Sequence, residues 1–266
     1  MSNTETALIT GASTGIGAVY ADRLARRGYD LILVARSKNK LEQVASHIQS
    51  TTGRKAEIVH ADLSVPADVK RIVDRLNTDP SITAFVNNAG IAAASPLLAS
   101  DPDYLEQIIQ INVAAFTRLA VAAASTFARR SKGLIINIGS VVALAPELLN
   151  GVYSGSKGYV QNFSIALNNE LKDKGVKVQV VLPGATATPL WEKSGVSVES
   201  FPAGMVMTTE DMVDAALAGL DQGEFVTLPA LPNAADFETY ESARLALAPN
   251  LSRNIPAARY GLAARN

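Results

Sequence analysis

The chain contains no cysteine and only two histidines, His47 and His60, among its 266 residues. The lack of cysteine excludes disulfides, thiolate nucleophiles and cysteine-ligated metals. His47 falls in an amphipathic helical stretch and His60 ends a strand-like run, so we do not expect them to share a site. The sequence therefore predicts neither a metal site nor a Ser-His-Asp triad.

An excess of one charge and long apolar runs are also missing. The 24 basic and 25 acidic residues give a net charge of −1, which offers no electrostatic basis for binding nucleic acid or an acidic membrane. No apolar run approaches the roughly 18 residues typical of a membrane span. Residues 1–5 have neither the basic start nor the apolar core of a signal peptide. We expect a soluble, cytoplasmic protein that binds neither nucleic acid nor membrane.

Short apolar runs alternate with longer amphipathic stretches over nearly the whole chain. This alternation predicts a parallel sheet covered by helices on both faces. Because no repeat or polar linker divides the chain, residues 1–266 are expected to form one doubly wound α/β domain. The seven strand-like runs are 7–10, 31–35, 57–60, 84–87, 134–139, 176–182 and 225–228. The clearest helical stretches are 41–50, 66–76, 104–127 and 156–171.

Two regions depart from this alternation. Residues 185–209 hold the only tryptophan, two prolines and no clear period. They follow the sixth strand-like run and predict a lid over a substrate, with a plain surface connection as the alternative. The tail, residues 229–266, carries one predicted helix at 236–247; it could cover the pocket, reach a neighbouring subunit or lie over the surface.

The most informative stretch is residues 10–17, TGASTGIG, between the first strand-like run and a helical pattern. Glycines allow a tight turn there, and the new helix directs its free N–H groups and positive dipole end toward an anion. The pattern therefore favours a phosphate site, although a purely structural turn would have the same glycines.

Four polar residues downstream could take part in chemistry, as a proton donor with its neighbouring cation, a holder of a substrate oxygen and a buried amide. Tyr153 and Lys157 would share one helix face, with Cβ atoms roughly 5–6 Å apart. A nearby cation favours the phenolate and lowers the tyrosine pKa, which makes the phenol a usable general acid or base. Ser140 ends a strand-like run and could hold a substrate oxygen, while Asn112 interrupts an apolar helix. Each also has an ordinary interpretation as a helix pair, a cap or a buried amide.

In order and spacing, these segments resemble the short-chain dehydrogenase/reductase family of the classical type. The resemblance runs from Thr10 to about Met212. It implies a single doubly wound Rossmann domain with a seven-stranded parallel sheet flanked by helices. The matching segments are residues 10–17, Asp62-Leu63, Asn87-Asn88-Ala89-Gly90, Asn112, Ser140, Tyr153 with Lys157, and Pro183-Gly184 with Thr188.

The resemblance also implies a reaction between NADP(H) and a carbonyl compound or secondary alcohol. Tyr153 would be the general acid/base, Ser140 would hold the substrate oxygen, and Lys157 would lower the tyrosine pKa and bind the ribose. Asn112 would order a relay water. The implied cofactor-binding residues are Gly11, Ser13, Thr14, Gly15, Ile16, Gly17, Arg36, Ser37, Asp62, Leu63, Asn88, Ala89, Gly90, Tyr153, Lys157, Pro183, Gly184, Thr186 and Thr188.

The end of the second strand-like run distinguishes the two nicotinamide cofactors. An NAD-binding fold normally places an acidic residue there to bind the ribose 2′-hydroxyl. This chain has Ala35 followed by Arg36, and a guanidinium attracts a 2′-phosphate that a carboxylate would repel. Ser13 and Ser37 could add hydroxyl donors. The sequence therefore predicts NADP.

Partners and alternatives complete the sequence-based expectations. Gly155 and Gly158 in the Tyr153 helix suggest close approach to the cofactor, a partner helix or a bulky neighbour, and the family resemblance implies a homodimer or homotetramer. Leu190 and Trp191, together with the apolar residues of 141–149, suggest a hydrophobic small-molecule substrate.

The alternative to an enzyme is a non-catalytic NADP-binding regulator or scaffold. A sugar-nucleotide epimerase or dehydratase would need a larger substrate region.

Overall fold

The computed structural model describes residues 5–262. Its seven strands form one sheet in the order β3-β2-β1-β4-β5-β6-β7, and every neighbouring pair is parallel. Each predicted strand is present, with ends that differ by one or two residues, so the predicted fold class is confirmed. The strands are β1 Thr6–Thr10, β2 Asp30–Ala35, β3 Ala56–His60, β4 Ile82–Asn87, β5 Gly133–Ile138, β6 Val176–Val181 and β7 Val226–Thr227.

Helices connect the strands and cover both faces of the sheet. The predicted helix 104–127 is part of a longer one that contains a π-helical turn at Gln110–Ala115. The helix predicted at 156–171 starts earlier, where the Asn150 side chain accepts a hydrogen bond from the Val152 N–H at 2.9 Å. The helices are α1 Gly15–Arg26, α2 Lys38–Thr52, α3 Pro66–Thr78, α4 Pro102–Ile109, α5 Phe116–Arg130, α6 Gly151–Leu171, α7 Pro189–Lys193, α8 Thr209–Gln222 and α9 Ala234–Ala246.

The core has two layers because successive strand residues point to opposite faces. Ile9 packs on one face with residues of α1, α2 and α8. Leu8 packs on the other face with residues of α3, α5 and α6. Both side chains are fully buried, which explains why the strands read as continuous apolar runs. With both faces covered, the ends of the strands are left for a ligand.

The continuous helical stretch Pro102–Arg130 is long and apolar enough, by length and composition alone, to cross a membrane. Its most apolar window has a mean hydropathy of 1.5, and 56% of that window is buried inside the protein. Leu119 and Phe127 belong to the core against the sheet. The stretch therefore has the burial of a core helix.

The chain divides into two compact units, one ending at Ala230 and the other beginning at Leu231. The first carries the whole sheet and all the predicted site residues. The second contains α9, whose first turn is capped by the Asn233 side chain. This helix matches the one predicted at 236–247, while the role of the tail stays a prediction.

Candidate active site

A cavity of about 700 Å³ lies at the carboxyl ends of the strands. Its centre is where the strand order reverses, because β1 lies between β2 and β4. Ligands of doubly wound sheets bind at this point. All the predicted site residues line the cavity except Gly17 and Asn112.

The glycine loop after β1 is hydrogen-bonded to the residues that follow β4. Asn88 donates from Nδ2 to the Thr10 carbonyl at 2.9 Å, and the Thr10 hydroxyl accepts from the N–H groups of Asn88 and Ala89 at 3.0 and 3.1 Å. Gly11 has a φ of 67°, the left-handed region that a side chain would disfavour. The first turn of α1 has no acidic residue and no side-chain cap, so its N–H groups are available to a phosphate.

Gly17 has a structural role that differs from its predicted contact with the cofactor. A Cβ on Gly17 would stand 2.6 Å from the Asn88 Nδ2 and closer still to the Gly11 carbonyl. Gly17 therefore lies beneath the loop, where the absence of a side chain lets α1 approach β1 and β4. Gly17 does not line the cavity, and its predicted contact with the cofactor stays a prediction.

Arg36 and Asp62 stand at the nucleotide end of the cavity. The Arg36 Nη1 is 3.8 Å from the Asp62 Oδ2, and the arginine side chain is 51% exposed. Partial burial raises the pKa of Asp62, but hydrogen bonds from the Ser64 N–H and hydroxyl, together with Arg36, outweigh it and leave the pKa lowered. Since that carboxylate is engaged by Ser64, the guanidinium is free to turn to another anion. Ser37 lines the same end and precedes the first turn of α2.

Tyr153 points into the cavity from α6 and is 95% buried, with 5% of its surface exposed. Burial raises the pKa of Tyr153 to about 12, and the Ser140 hydroxyl beside it opposes this rise. Tyr153 is therefore a protonated phenol at neutral pH. Ser140 is held at the end of β5 by long hydrogen bonds of 3.4 Å to the Pro183 carbonyl and from the Val142 N–H.

Lys157 lies one turn along α6 from Tyr153. Its Nζ donates to the Ile138 carbonyl at 3.0 Å and stands 5.8 Å from the centre of the Tyr153 ring. Burial lowers the pKa of Lys157 to about 8. In the protein alone, the predicted lowering of the tyrosine pKa by Lys157 is not seen, because desolvation dominates at both residues. The ammonium is still the main form at neutral pH.

Asn112 does not line the cavity and is buried in the π-helical turn. Its Oδ1 accepts from the Ile91 N–H at 3.0 Å, and its Nδ2 donates to the Ile91 carbonyl at 2.9 Å and to the Ser156 hydroxyl at 3.1 Å. The side chain thus ties the loop after β4 to α6. A Cβ on Gly90 would stand 3.1 Å from the Asn112 Oδ1 and 3.8 Å from the Lys157 Nζ, so these groups converge. The relay water stays a prediction.

The loop after β6 also lines the cavity, through the predicted residues Pro183, Gly184, Thr186 and Thr188. The Thr186 hydroxyl donates to the Gly184 carbonyl at 3.1 Å. This loop therefore brings small and hydroxyl-bearing side chains to the cavity, next to the glycine loop.

Several lining residues were not identified from the sequence. Tyr104, Gln107 and Ile111 face the cavity from α4 and the π-helical turn. The Tyr104 hydroxyl donates to the Ala92 carbonyl at 2.8 Å. Their spacing of three and four residues marks one helix face ahead of Asn112, and this spacing could have shown them. Ile91 and Ala92 directly follow the Asn87–Gly90 segment and could have been included with it.

Apolar side chains pack against Tyr153. Ala92 and Val142 pack with Tyr153, and Leu149 and Leu190 are packed against that cluster. The cavity thus brings together a protonated phenol and a hydroxyl, and apolar side chains pack around the phenol. The arrangement can deliver a proton to an oxygen held between Ser140 and Tyr153.

Comparison with known proteins identifies the family. Residues 5–198 match the family model for short-chain dehydrogenases. The chain belongs to this family, as its motifs predict, and is thereby a member of an oxidoreductase family.

Solved structures and curated proteins extend the comparison. A short-chain dehydrogenase from Sphingobium yanoikuyae in complex with NADPH is 42% identical, covers 96% of this chain and 99% of its own, and has a TM-score of 0.93. A bulky-bulky ketone specific alcohol dehydrogenase from Comamonas testosteroni is 40% identical over 97% and 99% of the two chains, with a TM-score of 0.89. Human 17-beta-hydroxysteroid dehydrogenase type 3 is 38% identical over 69% of this chain and 60% of its own length. The chain thus spans about three fifths of that curated relative.

Proposed function

We propose that this protein reduces a ketone with NADPH, and oxidises the corresponding secondary alcohol with NADP in reverse. The observation that carries the proposal is the buried, protonated Tyr153 in a cavity beside Ser140, with Lys157 one turn away. Nucleotide binding alone does not require a phenol, a hydroxyl and an ammonium at one place, whereas proton transfer to a carbonyl oxygen uses all three.

The residues around the cavity fit NADPH. The uncapped start of α1 and the open Gly11 turn suit a pyrophosphate. Arg36 suits the 2′-phosphate, because a guanidinium can grip two of its oxygens. Bound there, NADPH would supply the hydride that the carbonyl carbon takes up. The NADPH of the Sphingobium yanoikuyae structure supports this assignment.

The chain's own residues handle the proton and hold the substrate oxygen. Tyr153 gives its hydroxyl proton to the carbonyl oxygen, which Ser140 holds by a hydrogen bond. The Lys157 ammonium, 5.8 Å from the ring centre, stabilises the phenolate that this transfer leaves behind. Asn112 ties the loop after β4, at Ile91, to Ser156 of α6, so that these groups keep their positions.

The substrate we propose is a neutral, bulky, apolar ketone. Among the described residues that line the cavity, the charged ones are Arg36, Asp62 and Lys157. The proposed mechanism engages Arg36 with the 2′-phosphate and Lys157 with the phenol, and Asp62 accepts hydrogen bonds from Ser64. The surroundings of Tyr153 are aliphatic, so a carboxylate or phosphate on the substrate would lose its hydration without a partner. The bulky-ketone and hydroxysteroid relatives support the same class.

The decay of NADPH absorbance tests this function. We expect decay with neutral aromatic or polycyclic ketones, slower decay with NADH, and little with carboxylated analogues of the same ketones. Tyr153→Phe should bind NADPH and consume almost none. Binding of NADPH without turnover of any ketone or alcohol would instead support the regulator or scaffold.

We also propose a homodimer or homotetramer in the cytoplasm, built on α5 and α6 and without membrane attachment. A Cβ on Gly155 or Gly158 would meet nothing within 4 Å, so these glycines do not serve packing inside the described chain. Val121 on α5 is 47% exposed. Light scattering at micromolar concentration should give at least a dimer mass, and a monomer mass would contradict the proposal.

A further inference from the structure

The segment 185–209, between β6 and α8, is closed at its base. The Ala187 N–H donates to the Met207 carbonyl at 2.9 Å, and the Met207 N–H donates to the Ala185 carbonyl at 2.9 Å. The Thr209 hydroxyl adds a bond to the Ala187 carbonyl at 2.7 Å. The two ends of the segment, which follows β6 and leads into α8, are thus joined to each other. We call the residues between these hydrogen bonds the flap.

Within this flap, Trp191 contacts both the backbone at Thr186 and the ring of Phe201. Its indole Nε1 donates to the Thr186 carbonyl at 2.9 Å, and its ring meets Phe201 edge to face at 4.9 Å and 66°. Only 7% of Trp191 is exposed, and it lines the cavity, whereas Phe201 is not among the lining residues. The N–H bond and the Phe201 ring therefore fix the orientation of the indole, and part of its apolar surface faces the cavity.

Such a side chain is suited to recognise a large apolar group. An indole offers much contact area, and one already held in place loses little conformational entropy when a ligand packs on it. The neighbouring Leu190 packs against the cluster that contains Tyr153. The apolar surface of the flap therefore continues from the indole to the proton donor.

We propose that Trp191 is the specificity-determining residue for a bulky substituent of the ketone, and that Phe201 is a positioning residue that acts through Trp191. The substrate class is thereby an aromatic or polycyclic ketone whose bulky side packs on the indole. This inference rests on the proposed ketone reduction, and adds to it the residue that selects for size.

The test compares a bulky ketone, benzophenone, with a small one, cyclohexanone, in NADPH-dependent reduction. Trp191→Ala should lower kcat/KM for benzophenone roughly ten- to hundredfold, the effect expected of a lost aromatic contact. The loss should fall mainly on KM, and cyclohexanone should change less than about threefold because it has no bulky substituent to pack on the indole. Phe201→Ala should shift the benzophenone-to-cyclohexanone ratio in the same direction by a smaller factor.

Met205→Ala is the matched control, because Met205 lies in the same flap and is 53% exposed. It should leave the ratio unchanged. Trp191 is the only tryptophan of the chain, so intrinsic fluorescence reports on the flap directly. Benzophenone added to the NADPH complex should change the emission of wild type, and Phe201→Ala should shift the starting spectrum toward that of a more solvated indole.

The outcomes separate this inference from the function on which it rests. If wild type reduces neither ketone nor any other neutral ketone, the proposed function fails. If wild type reduces them, Tyr153→Phe does not, and Trp191→Ala leaves the ratio within twofold, the function stands and the role of Trp191 is overturned. An unchanged ratio and spectrum in Phe201→Ala would overturn the positioning role alone.

Discussion

Replacement of Arg36 is the most informative perturbation of cofactor recognition. The guanidinium lines the nucleotide end of the cavity, and its ion pair with Asp62 is long, at 3.8 Å. A pair this long and this exposed contributes about 0–1 kcal/mol, so Arg36→Ala should leave the melting temperature nearly unchanged. Any loss of cofactor affinity can then be assigned to the missing contact with the 2′-phosphate.

The expected loss follows from the exposure of the side chain. Hydrogen bonds to charged groups contribute about 1.5–3 kcal/mol, and the 51% exposure of Arg36 places its contribution toward the low end. About 1–2 kcal/mol corresponds to a roughly 5- to 30-fold higher KM for NADPH. NADH lacks the phosphate, so its KM should stay the same. Arg36→Asp should go further and favour NADH, because the new carboxylate repels the phosphate.

Initial rates at saturating ketone, with NADPH and NADH each varied, provide the assay. Lys38→Ala is the matched control, because Lys38 is a cation two residues further on whose side chain is 70% exposed. It should leave both KM values unchanged. Equal losses for NADPH and NADH in Arg36→Ala would refute the assignment of Arg36 to the 2′-phosphate.

Three further changes test the site and its scaffold. Because burial lowers the pKa of Lys157 to about 8, the ammonium loses its proton above that pH. The kcat/KM for reduction should therefore fall as the pH rises through about 8. The pH profile of Lys157→Met should lack that fall. Gly17→Ala should lower the free energy of unfolding by about 1–3 kcal/mol in urea titration, because the new Cβ meets Asn88. Gly151→Ala, where the Cβ meets nothing within 4 Å, should leave it nearly unchanged. Asn112→Ala should cost about 1–3 kcal/mol in the same titration, because it leaves the partly buried N–H and carbonyl of Ile91 without their side-chain partner.

The sheet could be predicted from the sequence because its strands are buried on both faces. Leu8 and Ile9, for instance, face opposite layers of helices, and such strands appear as uninterrupted apolar runs. The residues at the strand ends followed from the same reasoning, since parallel strands bring their carboxyl ends to one edge. This is why Arg36 and Ser140, far apart in sequence, were both placed at the site.

Features that depend on packing could not be predicted. The electrostatic balance at Tyr153 and Lys157 depends on how completely each is buried, and spacing along a helix carries no information on burial. The position of Gly17 beneath its loop depends on Asn88, which arrives from another strand. The edge-to-face contact between Phe201 and Trp191 lies in an irregular segment, where no periodicity indicates which side chains meet.

The proton transfer from Tyr153 is tested most directly in a single turnover. Enzyme loaded with NADPH is mixed with excess neutral aromatic ketone, and the loss of NADPH absorbance is followed for wild type and Tyr153→Phe. Replacing a general acid should slow this step roughly 10²- to 10⁴-fold, while the affinity for NADPH measured beforehand stays the same. A Tyr153→Phe variant that transfers hydride as fast as wild type would show that this phenol is not the acid.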